Sequence, residues 1–304
     1  MTFKEIKSSF RSELSSFFDE QEIDSFFYLV LEKYHQLKRV DLALQPNLKV
    51  SESELEQWKF VLEQLKTQKP IQYILGETFF CDIVFKVNEH TLIPRPETEE
   101  LVYWILDELK YKDQNSTIVD IGTGTGCIPI SLKKNLPEST VFGIDVSAEA
   151  LKVANENAKT NEVDVHFMQK NILETSDLQN QFDVIVSNPP YVRNLEKAEI
   201  NTNVLAFEPH LALFVSDEDP LLFYRKIAEL ALKNLKPNGL LFFEINQYLG
   251  KETVFLLTDL GFKNIELRKD IYGNDRMVKA ILTPDPSPSA FGRDKKERGD
   301  ETLK

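Results

Sequence analysis

The sequence predicts an α/β protein in which a mainly parallel sheet carries helices on both faces, preceded by a small bundle of short helices. Three observations predict it. Strand-like apolar runs alternate with helical periodicity from about residue 96 to 282. One junction reads as strand, glycine loop and helix, at Thr117–Cys127. Residues 1–75 show helical spacing only.

In the helical part, Ile23, Phe26, Phe27, Val30 and Leu31 fall on one helix face. Ser51 and Glu54 form a capping-box pattern ahead of a helix carrying Leu55, Trp58, Leu62 and Leu65. The aromatic residues are expected to form a core, and the domain as a whole to serve substrate recognition. Residues 76–95 predict a β-hairpin linker, with Thr78–Phe80 and Ile83–Val87 as its arms.

A stiff Pro94-Arg95-Pro96 entry then leads into a helix from Glu97 to Lys110, whose acidic first turn suits the helix dipole. Strand Thr117–Ile121 follows, then Gly122-Thr123-Gly124-Thr125-Gly126 and a helix from Cys127. Strand Thr140–Ile144 ends in Asp145, and a helix is expected from Ala148 to Asn161. Strands at 164–168 and 183–187 come next, then a long loop, a helix from Pro220 to Leu235, strand Leu240–Ile245 and a helix at 248–260. Two late strands near 264–269 and 277–282 are expected to pair as an antiparallel addition at the sheet edge. The α/β domain thus spans 96–282. The Pro- and Ser-rich, charged residues 283–304 have the composition of a disordered tail without function.

Composition narrows the class. A length of 304 residues exceeds the usual single domain, and 42% hydrophobic residues suffice for a core. No stretch approaches the ~18 unbroken apolar residues of a membrane span, and residues 1–5 lack the pattern of a secretory signal. Cys81 and Cys127 are too few for a disulfide framework, and His35, His90, His166 and His210 are scattered, so no metal centre is expected. The net charge of −13 is concentrated in residues 76–282, which hold 21 basic against 32 acidic side chains. A phosphate-backbone grip needs a basic face, so this balance favours a protein substrate over nucleic acid.

The chemistry centres on Asn188-Pro189-Pro190-Tyr191, which abruptly ends an apolar strand. Proline fixes its own φ and holds its predecessor extended, so the Asn188 side chain and the Pro189 carbonyl form rigid adjacent acceptors. Two such acceptors suit a planar NH2 group, and Tyr191 offers a flat ring for stacking. Read alone, Pro-Pro merely ends a strand. Upstream, the glycines at 122, 124 and 126 alternate, unlike the dinucleotide fingerprint, but still allow close approach of a nucleotide-like ligand. Asp145 stands where an acidic residue takes ribose hydroxyls, or it caps the helix that begins near Ser147.

Together, Asp120-x-Gly122-x-Gly124-x-Gly126, Asp145 and Asn188–Tyr191 resemble the class I S-adenosylmethionine-dependent methyltransferases. With Leu92–Glu99, Phe207–Leu213 and Asp270-Ile271-Tyr272-Gly273-Asn274-Asp275-Arg276, the likeness over residues 1–282 is to the PrmC/HemK family of protein-(glutamine-N5) methyltransferases acting on peptide chain release factors. The resemblance implies a Rossmann-like, mostly parallel seven-stranded sheet with an antiparallel edge strand. It implies S-adenosylmethionine held by Gly122, Thr123, Gly124, Thr125 and Gly126, by Asp145, and near Asn171 and Asn188. The acceptor would be the glutamine of a release factor's Gly-Gly-Gln loop, bound at Asn188, Pro189, Pro190 and Tyr191, with Asn188, Pro189 and Tyr191 catalytic. A cytoplasmic monomer acting in translation termination, without nucleic acid or membrane, is the implied setting. Asn171-Ile172 stands where the family usually has an acidic then an aromatic residue, and Asn246 where it usually has glycine.

A carboxamide nitrogen is a poor nucleophile because its lone pair is delocalised. Accepting both N–H groups at Asn188 Oδ1 and the Pro189 carbonyl would aim that lone pair at the methyl group, with no strong base, triad or metal. The alternatives are a glutamine methyltransferase of a ribosomal protein, an adenine-N6 nucleic-acid methyltransferase, which would need a basic cleft, and a dinucleotide-binding domain, which leaves Asn188–Tyr191 unexplained.

Overall fold

The computed structural model describes residues 1–110 and 115–283. The chain begins with helices α1 (Phe3–Leu14), α2 (Glu20–His35), α3 (Arg39–Leu44), α4 (Glu52–Lys66) and α5 (Ile71–Leu75). Thr2, Asp19 and Ser51 cap α1, α2 and α4 with their side chains, and Thr2 and Ser51 close full capping boxes with Glu5 and Glu54. Their apolar faces meet in one core. Trp58 sits at its centre against Phe10 and Phe27, and its indole N–H donates to His35 Nε2 at 2.9 Å. The expectation that these aromatic residues are core holds.

Strands β1 (Glu77–Phe80) and β2 (Ile83–Lys86) form the expected hairpin. It is more than a connector, because Phe80 and Phe85 are buried in the same apolar cluster as Leu101, Trp104 and Ile128 of the α/β domain. Asn157 also brackets Lys86, accepting from its N–H at 2.7 Å and donating to its carbonyl at 3.0 Å.

Beyond the hairpin come α6 (Pro96–Leu109), β3 (Thr117–Ile121), α7 (Cys127–Asn135), β4 (Thr140–Asp145), α8 (Ala148–Thr160), β5 (His166–Gln169) and β6 (Phe182–Ser187). The segment read as a long loop contains β7 (Val192–Arg193), α9 (Thr202–Phe207), β8 (Phe214–Val215) and two 3-10 turns, Asn194–Glu199 and His210–Ala212. Elements of two to six residues are too short for periodicity to reveal. The chain then runs through α10 (Leu222–Asn234), β9 (Leu235–Glu244), α11 (Gly250–Asp259), β10 (Lys263–Lys269) and β11 (Asp275–Ile281). Of the expected tail at 283–304, residues 284–304 lie outside the described residues.

The main sheet has seven strands in the order β10-β11-β9-β6-β3-β4-β5. β9, β6, β3, β4 and β5 are parallel. The two late strands form the antiparallel pair at one edge, as expected, and the strand running against all the others is the inner one, β11, bonded to β10 and β9. Alternate strand residues serve opposite faces: Val184 and Val186 pack with α6 and α7, Ile185 with α10. This two-sided burial explains why the parallel strands read as unbroken apolar runs.

Candidate active site

From β3 the chain winds one way to β4 and β5, and β6 and β9 lie on the other side. The β3/β6 gap is therefore the switch point, where doubly wound sheets open a crevice at the carboxyl ends of their strands. Register puts Ile121 beside Ser187, so the glycine loop and Asn188 leave the sheet side by side. Gly122 has φ +79°, and a Cβ there would lie 3.9 Å from the Asn188 carbonyl oxygen. Gly126, also at φ +79°, starts α7 with Ile130, Ala154 and Phe167 packed so closely that a Cβ would come within 3.0–3.2 Å of each. Here glycine is needed both for the turn and for close packing.

The crevice holds a cavity of about 360 Å³, within the range of small-ligand sites. Gly122, Gly124, Asp145, Asn171 and the run Asn188–Pro190 all line it. Thr123, Thr125 and Gly126 do not; Thr123 and Thr125 are buried in the turn beneath. Nor does Tyr191, whose ring packs on the core beneath α10.

Asp145 accepts from the Gly124 N–H at 2.8 Å and the Ser147 N–H at 2.9 Å. Ser147 itself caps α8, accepting from Ala150 N at 3.1 Å, so the helix cap does not account for the carboxylate at the cavity wall. Asn171 lines the cavity, while its side chain closes a local turn with Leu173 N and Glu174. Under the loop lies Asp120, fully buried, with neither oxygen hydrogen-bonded among the described residues. Burial pushes its carboxyl up to about 7. An unpartnered carboxylate below a glycine cradle, with a second carboxylate at the wall, fits a cationic nucleoside such as S-adenosylmethionine.

The Asn188 side of the crevice is built from side chains. Asn188 Nδ2 donates to Thr98 Oγ1 at 3.2 Å, Thr98 Oγ1 donates to Glu244 Oε2 at 2.6 Å, and Tyr191 O–H donates to Glu244 Oε1 at 3.0 Å. Burial raises the Glu244 pKa and drives that of Tyr191 far above its ordinary value. Sequence reading missed Thr98 and Glu244. A carboxylate closing the all-apolar run Leu240–Phe243 was the available signal for Glu244.

Two further clamps hold the rim. Arg95 pairs with the buried Glu208, which also accepts from Ile93 N at 3.2 Å, so the Pro-x-Pro entry and the Phe207–Leu213 segment are tied together over the cavity. Asn246 donates to the Tyr191 carbonyl at 3.0 Å and to Glu196 at 2.8 Å, bracing the turn after Pro190. No cluster of three or more potential metal ligands exists among the described residues, and none of their helices is long and apolar enough to cross a membrane.

Comparisons with known proteins show the family. The PrmC N-terminal domain matches residues 6–76 and the Methyltransferase small domain residues 103–209. The chain is 65% identical to the release factor glutamine methyltransferase of Flavobacterium psychrophilum, over 92% of this chain and 99% of that protein. Its identity to the protein of that name from Bacteroides thetaiotaomicron is 39%, over 90% and 98%. The hMettl16 catalytic domain, solved with MAT2A 3'UTR hairpin 6, shares the fold with a TM-score of 0.52 at 14% identity, over 78% of this chain and 86% of that one.

Proposed function

This chain belongs to the release factor glutamine methyltransferase family, and from that premise we propose that its crevice methylates the side-chain N5 of the glutamine in a release factor's Gly-Gly-Gln loop. The observation that carries the reading is the orientation of Asn188, a residue of the cavity lining: its Nδ2 is tied to Thr98, which leaves Oδ1 free to accept from a ligand.

Bound S-adenosylmethionine supplies a methyl carbon made electrophilic by its sulfonium leaving group. Gly122 and Gly124 let the backbone approach the cofactor. Each Asp145 oxygen already accepts one backbone N–H and keeps a lone pair for a ribose hydroxyl. Asn188 Oδ1 and the Pro189 carbonyl accept the two amide N–H groups of the glutamine, which turns the nitrogen lone pair toward the methyl and favours the positive charge that develops on nitrogen. Transfer of that methyl would leave the electron pair of the broken C–S bond on sulfur, and the methylated nitrogen, held by Asn188 and Pro189, would release one proton to water. Tyr191 supports this pocket from behind through Glu244. The helical domain contacts the release factor, and the enzyme acts as a cytoplasmic monomer in translation termination.

Labelled S-adenosylmethionine offered with release factor, ribosomal protein or DNA should mark the release factor alone. Asn188→Ala should lower turnover by about 10³-fold, the upper range for removing one transition-state hydrogen-bond partner, with cofactor affinity by calorimetry little changed. Near-normal turnover of that variant would sink the mechanism.

A further inference from the structure

The two ends of the Asn188 side chain have the same size and shape, so packing alone does not choose which end faces the cavity. Hydrogen-bond chemistry does. Glu244 is 1% exposed, and as a carboxylate it can only accept. Its Oε2 therefore takes the single proton of the Thr98 hydroxyl, and its Oε1 takes that of Tyr191. With that proton committed, Thr98 Oγ1 has only lone pairs left for Asn188, and Asn188 must answer with its NH2 end. The chain of donors runs one way, from Asn188 through Thr98 to Glu244, and it leaves Oδ1 pointing away from Thr98.

We propose that Thr98 and Glu244 are positioning residues that set the polarity of the Asn188 amide, so that an acceptor and not a donor meets the substrate NH2 group. The inference rests on the reading of Asn188 as the acceptor of the glutamine amide. Neither residue touches the substrate. Reversing the chain would turn the Asn188 NH2 toward the glutamine NH2, two donors face to face.

Glu244→Gln is the reversing variant. Tyr191 still donates to the amide oxygen of the new side chain, whose NH2 then faces Thr98. Thr98 must now accept there and donate onward, and Asn188 must turn its oxygen inward. The shape is kept and the polarity is inverted. Thr98→Val removes the hydroxyl and leaves the Asn188 amide free to take either orientation, whereas Thr98→Ser retains the relay.

Steady-state kinetics with release factor should show kcat reduced about 100-fold in Glu244→Gln and about 10-fold in Thr98→Val. The KM for S-adenosylmethionine should stay within about threefold of the parent in both, and Thr98→Ser should stay near the parent in every respect. A purely structural pillar between α6 and β9 would instead change melting temperature and leave kcat of the folded fraction intact. Normal kcat in a folded Thr98→Val variant, or equal loss in Thr98→Ser and Thr98→Val, overturns the inference, and the threonine pair decides even where Glu244→Gln does not fold. The parent reading fails separately: an active Asn188→Ala removes the acceptor role itself, whereas an inactive Asn188→Ala beside a fully active Thr98→Val removes only the relay.

Discussion

Two carboxylates are fully buried at the carboxyl ends of strands in one sheet, Asp120 on β3 and Glu244 on β9, and the fold treats them in opposite ways. Glu244 receives two hydroxyl donors, from Thr98 and Tyr191. Asp120 receives none among the described residues. A buried ionised group without partners is costly, and it persists where something other than stability selects it. The satisfied carboxylate belongs to the Asn188 side of the crevice, where a side chain must be held in one orientation. The unsatisfied one lies under the glycine loop, where on the proposed function a negative field would suit a cationic cofactor and rigidity comes from the glycine turn.

The largest break in this comparison is Glu244→Leu. It strands two buried hydroxyls, each costing about 1–3 kcal/mol, so chemical denaturation should show a loss of about 2–6 kcal/mol in unfolding free energy. Asp120→Asn should do the reverse, because it removes a buried charge and no hydrogen bond. The sign follows from linkage. The folded pKa of Asp120, about 7, lies above the unfolded carboxylate value of about 4. The protonated form is thus favoured in the folded state, and its contribution to stability is complete below pH ~4 and lost as pH rises through ~7. The ligand-free protein should melt higher at pH 6 than at pH 8, and Asp120→Asn should flatten that difference in a calorimetric pH series.

The smallest expected effect is kinetic. Burial raises the Glu244 pKa against the opposing influence of Thr98, Arg276 and Tyr191, with Glu97 adding to the rise. Below that pKa a protonated Glu244 can donate to Thr98 and reverse the relay, so kcat should acquire an acidic limb above the ordinary carboxylate range. The limb should be absent from the residual activity of Glu244→Gln, and its persistence there would assign it to another group.

Much of the candidate site is legible because its residues adjoin one another in the chain. Gly122–Gly126 and Asn188–Tyr191 each announce a strand end through residues that fix or free φ, and Asp145 closes an apolar strand. The helical domain was legible through capping boxes and periodicity. Tyr191 was read as a stacking ring, and its hydroxyl proves to be committed to Glu244, away from the cavity lining. Thr98 read as part of a helix entry, because its acceptor lies 146 residues away. The Arg95–Glu208 clamp was equally hidden, although both residues fall in segments the sequence had singled out.

The sequence by itself determined which strands are buried on both faces, where they stop, and which residue types stand at the stops, since these follow from local sterics and hydrophobic periodicity. Only the tertiary structure decided that β3 and β6 lie adjacent, that β11 runs reversed inside the edge pair, and that Asn188 spends its NH2 group on Thr98. Those outcomes depend on hydrogen-bond partners far apart in the chain, and a proton shared between distant side chains leaves no periodic signal along it.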